Sequence, residues 1–195
     1  MHILLTRPLE DCSKLIIKFK SLGHQISHLP LIKIDKVNYE KINYSDFGGI
    51  IFTSANAVKF LDLVKIDKNI NCFCVGDATE RKARSLGFQN TIAAEGNALS
   101  LKELILQNYE TRERQILYVS GEAISIDLDQ QLINEGIKVK RIINYRAIHN
   151  EKFDENFVKE LKMKIPDIVY VYSQNSASRF LKFIKICQSE NLWMN

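Results

Sequence analysis

The sequence has 195 residues, of which 46% are hydrophobic and 26% charged, and its formal net charge is +4. This composition supports one ordinary folded domain or two small ones and argues against a disordered chain. No apolar run is long enough to cross a bilayer, and the 27 lysines and arginines are spread along the chain, whereas a nucleic-acid-binding protein would concentrate them in a basic stripe.

Hydrophobic periodicity predicts alternating strands and helices. Strands are predicted at 2–6, 25–34 (broken by Pro30), 49–52, 71–75, 91–94, 115–120, 137–145 and 167–173. Helices are predicted at 12–22, 55–61, 78–86, 97–109, 125–134, 154–163 and 176–186. This alternation is typical of parallel sheets with helices on both faces.

An internal repeat suggests that one α/β unit occurs twice. The segment 50–61, "IIFTSANAVKFL", parallels the segment 168–181, "IVYVYSQNSASRFL", and the alignment matches Ser54 with Ser173. Each segment reads as a buried strand that runs directly into a helix. The sequence therefore predicts two related modules.

The cysteines and the amino terminus bear on metal binding and on location. Cys72 and Cys74 lie two apart in a predicted strand, so both should face the core. None of the four histidines sits at helical ligand spacing, and we expect no metal site. The first ten residues show no signal-peptide pattern, so we expect a cytoplasmic protein.

Small polar residues occupy four strand-to-helix turns. In a parallel sheet such turns gather at the carboxyl edge, where the unpaired N–H groups and the dipole of each helix start attract anions. Each turn alone is better explained by helix capping, but four of one kind favour a ligand cleft. Arg7 could clamp a carboxylate or could be an ordinary surface arginine. The four turns are 6–8, 53–56, 76–79 and 173–176.

Three further positions are candidates for binding or chemistry. Gly96 and Asn97 open a predicted helix, and Ser120-Gly121 follows a strand with backbone that could approach a ligand. The hydroxyl of Tyr145 could assist a leaving group or bind a carboxylate, although in isolation a packed aromatic at a strand end is the better explanation. Glycine-rich nucleotide loops, nucleophile elbows and metalloprotease motifs do not occur.

The order of these blocks resembles the uroporphyrinogen-III synthase family over essentially the whole chain. The matching blocks are "LLTRP", "GIIFTSANAV", "FCVGDATERKARSLGF", "EGNAL", "ILYVSGE", "INYRAI" and "IVYVYSQNSASRFL". The resemblance implies two flavodoxin-like parallel-sheet domains joined by a two-stranded linker. Domain one would combine 1–33 with 148–195, and domain two would be 34–147. Because the repeat counterpart of Gly76 falls at Asn195, we expect the discontinuous first domain to lack its last strand–helix units.

The resemblance also implies a reaction. The family's substrate is hydroxymethylbilane, a linear tetrapyrrole polycarboxylate. The enzyme, a lyase, expels the terminal hydroxyl as water, inverts the last pyrrole ring and closes the macrocycle. The resemblance implies a monomer that needs no cofactor or metal. It implies no nucleic-acid partner and no membrane partner. The alternatives are a two-module binding protein for a small anion and an inactive truncated relative.

Residue roles follow by position in the matching blocks. The family's turn hydroxyls correspond to Thr53, Ser54, Thr79 and Ser173, and its tyrosine, a candidate for assisting hydroxyl departure, corresponds to Tyr145. The expected substrate-binding set is Arg7, Thr53, Ser54, Gly76, Thr79, Gly96, Asn97, Ser120, Gly121 and Ser173.

Overall fold

The computed structural model describes residues 1–95, 97–109, 114–150 and 154–189, with the side chains of Gln174 and Asn175 excepted. The chain divides into two compact units. Unit 1 combines Met1–Ile34 with Ile148–Asn195, and unit 2 is Asp35–Ala147.

The described residues form nine strands and seven α-helices, in the predicted alternation. The strands are β1 (His2–Leu5), β2 (Gln25–His28), β3 (Ile32–Lys36), β4 (Phe47–Phe52), β5 (Asn71–Val75), β6 (Thr91–Ala94), β7 (Gln115–Gly121), β8 (Val139–His149) and β9 (Ile168–Tyr170). The helices are α1 (Leu9–Ser21), α2 (Ala55–Phe60), α3 (Asp77–Ser85), α4 (Ala98–Asn108), α5 (Leu128–Asn134), α6 (Glu155–Met163) and α7 (Gln174–Ser189).

Unit 2 is built on five parallel strands in the order β8-β7-β4-β5-β6. Successive side chains of a strand point to opposite faces, and the sheet has a core on each face. Phe52 and Cys74 pack with α2 and α3 on one face, while Ile51 and Phe73 pack with α4 and α5 on the other. The predicted parallel α/β architecture, including the core position of Cys72, is confirmed.

The connections in unit 2 diverge at its central strand pair. From β4 the chain crosses over through α2 to β5, and from β7 it crosses through α5 to β8 on the opposite side. In open parallel sheets, ligands bind beyond the carboxyl ends of the strands at the point where the connections diverge. That point lies between the ends of β4 and β7.

Unit 1 contains three parallel strands in the order β2-β1-β9 among the described residues. Ile3 pairs with Ile26 on one side and Ile168 on the other. This arrangement reproduces the β8-β7-β4 part of unit 2, with β1 equivalent to β7 and β9 equivalent to β4. The internal repeat in the sequence is therefore visible in the order of the strands.

Strands β3 and β8 carry the chain between the units. The N–H of Val37 donates to Asn144 O at 2.9 Å, and the N–H of Asn150 donates to Leu31 O at 3.1 Å. Residue numbers rise along one strand as they fall along the other, so the two run antiparallel. The sequence pattern predicted that this strand ends at Tyr145. In the structure β8 continues beside β3 and ends at His149.

Pro30 separates β2 from β3, as expected, and its carbonyl accepts the Asn150 side-chain amide at 2.6 Å. No helix within the described ranges is both long and apolar enough to cross a membrane.

Helix α3 is fastened to β6 by Glu80. The carboxylate accepts two hydrogen bonds from Arg84, at 2.9 and 3.0 Å, and one from the Thr91 hydroxyl at 2.9 Å. These bonds to Arg84 and Thr91 hold the pKa of Glu80 below its ordinary value. The contact fixes the helix that begins at Gly76.

We predict that Glu80→Gln lowers the free energy of unfolding by about 1–2 kcal/mol, because the amide replaces a charge-assisted acceptor. The folded-state pKa of Glu80 is lower than that of the unfolded chain, so its stabilisation is complete above about pH 5 and is lost as the pH falls below about 4. Urea unfolding across this pH range measures the effect. Exposed Glu103→Gln in α4 is the control, and equal behaviour of the two variants would contradict the prediction.

Candidate active site

The turn after β4 holds Thr53 and Ser54. The apolar run of β4 ends here, and Ser54 adopts an extended backbone and caps α2 by accepting the N–H of Asn56 at 3.2 Å. A hydroxyl that accepts in this way keeps a proton that it can donate to a ligand. The half-buried Thr53 hydroxyl forms a hydrogen bond with the phenol of Tyr118. Both predicted hydroxyls therefore lie where β4 ends.

Tyr118 lies in β7 and packs in the core that faces α4 and α5. It is 2% exposed, and burial raises the pKa of its phenol against the opposing effects of the Thr53 hydrogen bond and the Arg141 charge. The guanidinium of Arg141 lies 5.9 Å from the Tyr118 ring centroid. Tyr118 thus stays a neutral phenol that orients the Thr53 hydroxyl.

Arg141 organises the carboxyl end of β7. Its Nε donates to the Ser120 hydroxyl at 2.8 Å, and its Nη2 donates to the carbonyls of Gly121 at 3.0 Å and Glu122 at 3.3 Å. Ser120 is fully buried and donates its own proton to Gly121 O at 3.0 Å. The sequence suggested backbone open to a ligand at Ser120-Gly121. In the structure these polar groups are already bonded to Arg141 and to each other.

Tyr145 lies directly on Gly121. A Cβ atom on Gly121 would lie 2.7 Å from Tyr145 Cζ and 2.9 Å from its hydroxyl oxygen. The pairing of β7 with β8 shifts at this point, since Ser120 pairs with Ile143 but Gly121 pairs with Tyr145. Such a bulge re-aims the following side chain. Only a glycine leaves room for the phenol at this place, beside the divergence point of the sheet.

Gly76 is the N-cap residue of α3, and Thr79 lies in the first turn of the helix. Gly76 has φ +73°, a conformation that favours glycine, and its N–H donates to Ala94 O at 2.9 Å. Thr79 is 5% exposed, so its hydroxyl faces the interior more than the solvent. Asp77 in the first turn is exposed and its carboxylate already complements the helix dipole. This helix start is therefore less attractive to an anion than the sequence pattern suggested.

Asn97 caps α4. Its side-chain oxygen accepts the N–H groups of Leu99 at 2.9 Å and Ser100 at 3.1 Å, and the side chain is exposed at the carboxyl edge beyond β6. Gly96, predicted to act with it, lies outside the described residues.

Unit 1 has its own polar carboxyl edge. The Arg7 guanidinium lies 4.7 Å from the Tyr172 ring centroid and pairs with Asp11 at 3.1 Å. Ser173 opens α7, where its oxygen accepts the N–H of Ser176 at 3.1 Å. Arg7 follows β1 and Ser173 follows β9, and these two strands are neighbours. Arg7 and Ser173 thus occupy the places that Gly121–Glu122 and Ser54 occupy in unit 2.

The structure therefore gathers the predicted residues by unit. The carboxyl edge of the unit 2 sheet carries Thr53, Ser54, Gly76, Thr79, Asn97, Ser120, Gly121 and Tyr145. The carboxyl edge of the unit 1 sheet carries Arg7 and Ser173. In the part of the chain that the structure describes, no group of three or more metal-ligating side chains occurs.

Four site residues were missed from the sequence: Tyr118, Arg141, Asn144 and Tyr172. Each lies within or beside a predicted strand, where an isolated polar side chain gives no local signal of its partners. Arg141 and Asn144 both lie in "RIINY". The Arg141 side chain bonds to Ser120 and Gly121 of β7, and the Asn144 side chain bonds to the Ala57 carbonyl of α2.

A cavity of about 390 Å³ lies at the opposite, amino edge of the unit 2 sheet. Tyr44, Lys65 and Arg114 line it, and Arg114 donates to the Ser45 carbonyl. None of the predicted site residues contributes to it.

The chain is similar to known proteins in both sequence and structure. A family model described as uroporphyrinogen-III synthase HemD matches residues 13–193. The crystal structure of uroporphyrinogen-III synthetase from Helicobacter pylori is similar, with a TM-score of 0.63 and 19% identity over 93% of this chain and 78% of that chain. A mutant uroporphyrinogen III synthase from the extremely thermophilic bacterium Thermus thermophilus gives a TM-score of 0.53 and 14% identity over 93% of this chain and 77% of that chain. At these identities the structural likeness shows the fold. No curated protein matches the sequence significantly.

We predict that Gly121→Ala displaces the Tyr145 ring, because the new methyl group would lie 2.7 Å from Cζ. Overpacking of this kind costs roughly 1–3 kcal/mol of stability. Fluorine NMR of protein labelled with 3-fluorotyrosine should show a shifted Tyr145 resonance.

Gly48→Ala is a matched control, since its Cβ would lie 2.7 Å from the Tyr109 hydroxyl, at the amino end of β4. It should shift the Tyr109 resonance and leave that of Tyr145 in place. An unmoved Tyr145 resonance in folded Gly121→Ala would show that the ring does not depend on this glycine.

Proposed function

The chain belongs to the uroporphyrinogen-III synthase family, lyases of tetrapyrrole biosynthesis, and we propose that it binds and cyclises the family's linear substrate, with Tyr145 at the carboxyl edge of the unit 2 sheet as the reacting residue. The carboxyl edges of the two sheets each carry further polar side chains. The family's reaction converts hydroxymethylbilane to the macrocycle with loss of water and inversion of the terminal pyrrole ring. The observation that carries the site assignment is the phenol of Tyr145, seated on Gly121 beside the divergence point of β4 and β7.

The polar groups at these edges suit a polycarboxylate. Hydroxyls such as those of Thr53 and Ser54 and the guanidinium of Arg7 are donors that bind carboxylates without a metal. The substrate is flexible, so holding its carboxylates at several fixed points brings its two ends together. Positioning of this kind can supply a large part of the rate enhancement.

Tyr145 is our candidate for the proton donor. As the C–O bond of the terminal hydroxymethyl group breaks, the pyrrole nitrogen stabilises the carbocation that remains, and a proton from the phenol lets the oxygen leave as water. Ring closure later releases a proton from a pyrrole carbon, which restores the phenol. Atoms and charge balance over the cycle, with water as the second product.

We further propose that the two units are the two domains of the family, 1–33 with 148–195 and 34–147. A monomer in the cytoplasm, with no nucleic-acid partner, is the simplest arrangement for an enzyme whose substrate is a small polyanion. The spread of basic residues along the sequence supports it. Sedimentation of the purified chain tests the monomer.

The direct test supplies hydroxymethylbilane and separates the oxidised products by chromatography. An active enzyme gives the type III isomer. The type I isomer forms spontaneously, so type I alone from folded protein would contradict the assigned activity for this chain.

We predict that Tyr145→Phe lowers kcat by about 10- to 100-fold, because it removes the proton donor but keeps the ring on Gly121. The loss should stay below that of a full general acid, since positioning of the substrate survives. Steady-state formation of the type III isomer measures it. A kcat within twofold of that of the parent chain would show that the phenol is not the proton donor.

We predict that Arg7→Met raises KM by about tenfold and changes kcat little, because a charge-assisted contact to a substrate carboxylate is lost in ground state and transition state alike. Methionine keeps an aliphatic stem against Tyr172. Lys20→Met, which removes an exposed positive charge from α1, controls for general charge attraction. Equal rises in KM for the two variants would rule out a specific contact.

A further inference from the structure

We propose that Asn144 is a positioning residue that fixes both Tyr145 and the Thr53–Ser54 turn. The proposal rests on the proposed function of Tyr145. It concerns a buried side chain that has no place among the residues expected to touch substrate. Asn144 is 0% exposed, so it acts through its neighbours and not through the ligand.

The first line of evidence is the place of Asn144 in β8. In the pairing of β7 with β8, Ser120 is opposite Ile143 and Gly121 is opposite Tyr145, so Asn144 is the extra residue of the bulge. The conformation of the bulge decides which way the next side chain points. Whatever holds Asn144 therefore sets the direction of the Tyr145 ring.

The second line of evidence is what Asn144 binds. Its Nδ2 donates to the Ala57 carbonyl at 2.7 Å, in a fully buried hydrogen bond. Helix α2 spans only Ala55–Phe60, and Ala57 O is one of the last four carbonyls, which lack partners within such a helix. A helix this short is not stable alone, so a buried amide on one of its free carbonyls helps to hold it in place.

The two contacts join separate parts of the site. Helix α2 begins directly after Ser54, so fixing it also fixes the turn that carries Thr53 and Ser54. The Asn144 carbonyl accepts the N–H of Val37 at 2.9 Å, which anchors the bulge from its other side. One residue thus connects the strand that carries Tyr145 to the helix that follows Thr53 and Ser54.

The remaining atom of the amide argues against a purely stabilising role. Asn144 Oδ1 is buried and has no hydrogen-bond partner among the described residues. An unpaired buried acceptor costs free energy, so the amide is a poor choice for stability alone. Of the two polar groups of the amide, only the NH2 group, which donates to α2, has a hydrogen-bond partner among the described residues.

The test compares Asn144→Ala with the parent chain. The substitution removes the donor N–H and with it the side-chain anchor of the bulge. We expect kcat to fall about 10- to 100-fold, as small misplacements of catalytic groups do. In the double variant Asn144→Ala/Tyr145→Phe, the loss of kcat should be clearly smaller than the product of the two single losses, because the part of the Asn144 effect that acts through the Tyr145 phenol is already absent. Multiplied losses would overturn the proposal, since Asn144 would then act independently of Tyr145.

A control variant separates positioning from loss of stability. Ile105→Val trims a fully buried side chain of α4, in the other core of unit 2. It lowers stability but should leave kcat unchanged under conditions where it is folded. Equal losses of kcat in Ile105→Val and Asn144→Ala would reduce the effect to destabilisation and would overturn the proposal.

A measurement without substrate keeps the proposal distinct from the proposed function. In protein labelled with 3-fluorotyrosine, the Tyr145 resonance is assigned by its loss in Tyr145→Phe. Asn144→Ala should shift it, and Ile105→Val should not. An unshifted resonance in folded Asn144→Ala would overturn the positioning role. A shifted resonance in a chain that forms only the type I isomer would leave that role standing and would contradict the proposed function.

Discussion

The parallel pairing of β4 with β7 is the constraint on which the candidate site depends. These strands pair from Gly49 with Ile116 to Phe52 with Val119, and their side chains contribute to both cores of unit 2. The crossovers leave in opposite directions, so the polar turns that follow the two strands lie at the point where the connections diverge. A shift of one residue in this pairing would move Tyr118 to the other face and separate it from Thr53.

Many of the polar groups at this edge already form hydrogen bonds within the fold. Ser120 and the carbonyl of Gly121 are bonded to Arg141, and the Ser54 oxygen and Asn97 cap helices. Hydroxyl and amide groups commonly serve the backbone in this way. What is left for a ligand is therefore directional: the protons of capping hydroxyls, the Tyr145 phenol on Gly121, and the Arg7 guanidinium, which pairs with Asp11. Such a site suits a ligand that brings its own charge on flexible arms.

The fold could be predicted from the sequence more completely than the site. Periodicity identified the strands, because a buried strand such as "GIIF" and an amphipathic helix such as α3 are local patterns. The hydroxyl turns could also be predicted from the local sequence, because serine, as at Ser54, is a residue type that commonly caps the start of a helix. The partners of Arg141 and Asn144 were not predictable, because they are set by the register of β7 against β8 and by a bulge, and neither leaves a signature in a single strand. Thr79 shows the reverse, a site-like residue that the packing of α3 buries.

The pairing of β1 with β9 has a consequence for how the chain is made. The N–H of His2 bonds to the Asp167 carboxylate, 165 positions along the chain. On a ribosome adding about 5–20 residues per second, the first strand waits roughly 8–30 seconds for its neighbour. The contiguous residues of unit 2 emerge during that interval and can assemble first. Newly made β1, apolar at Ile3, Leu4 and Leu5, is then an open strand edge for that time. The nascent chain would gain from a chaperone that covers β1 until β9 has been made.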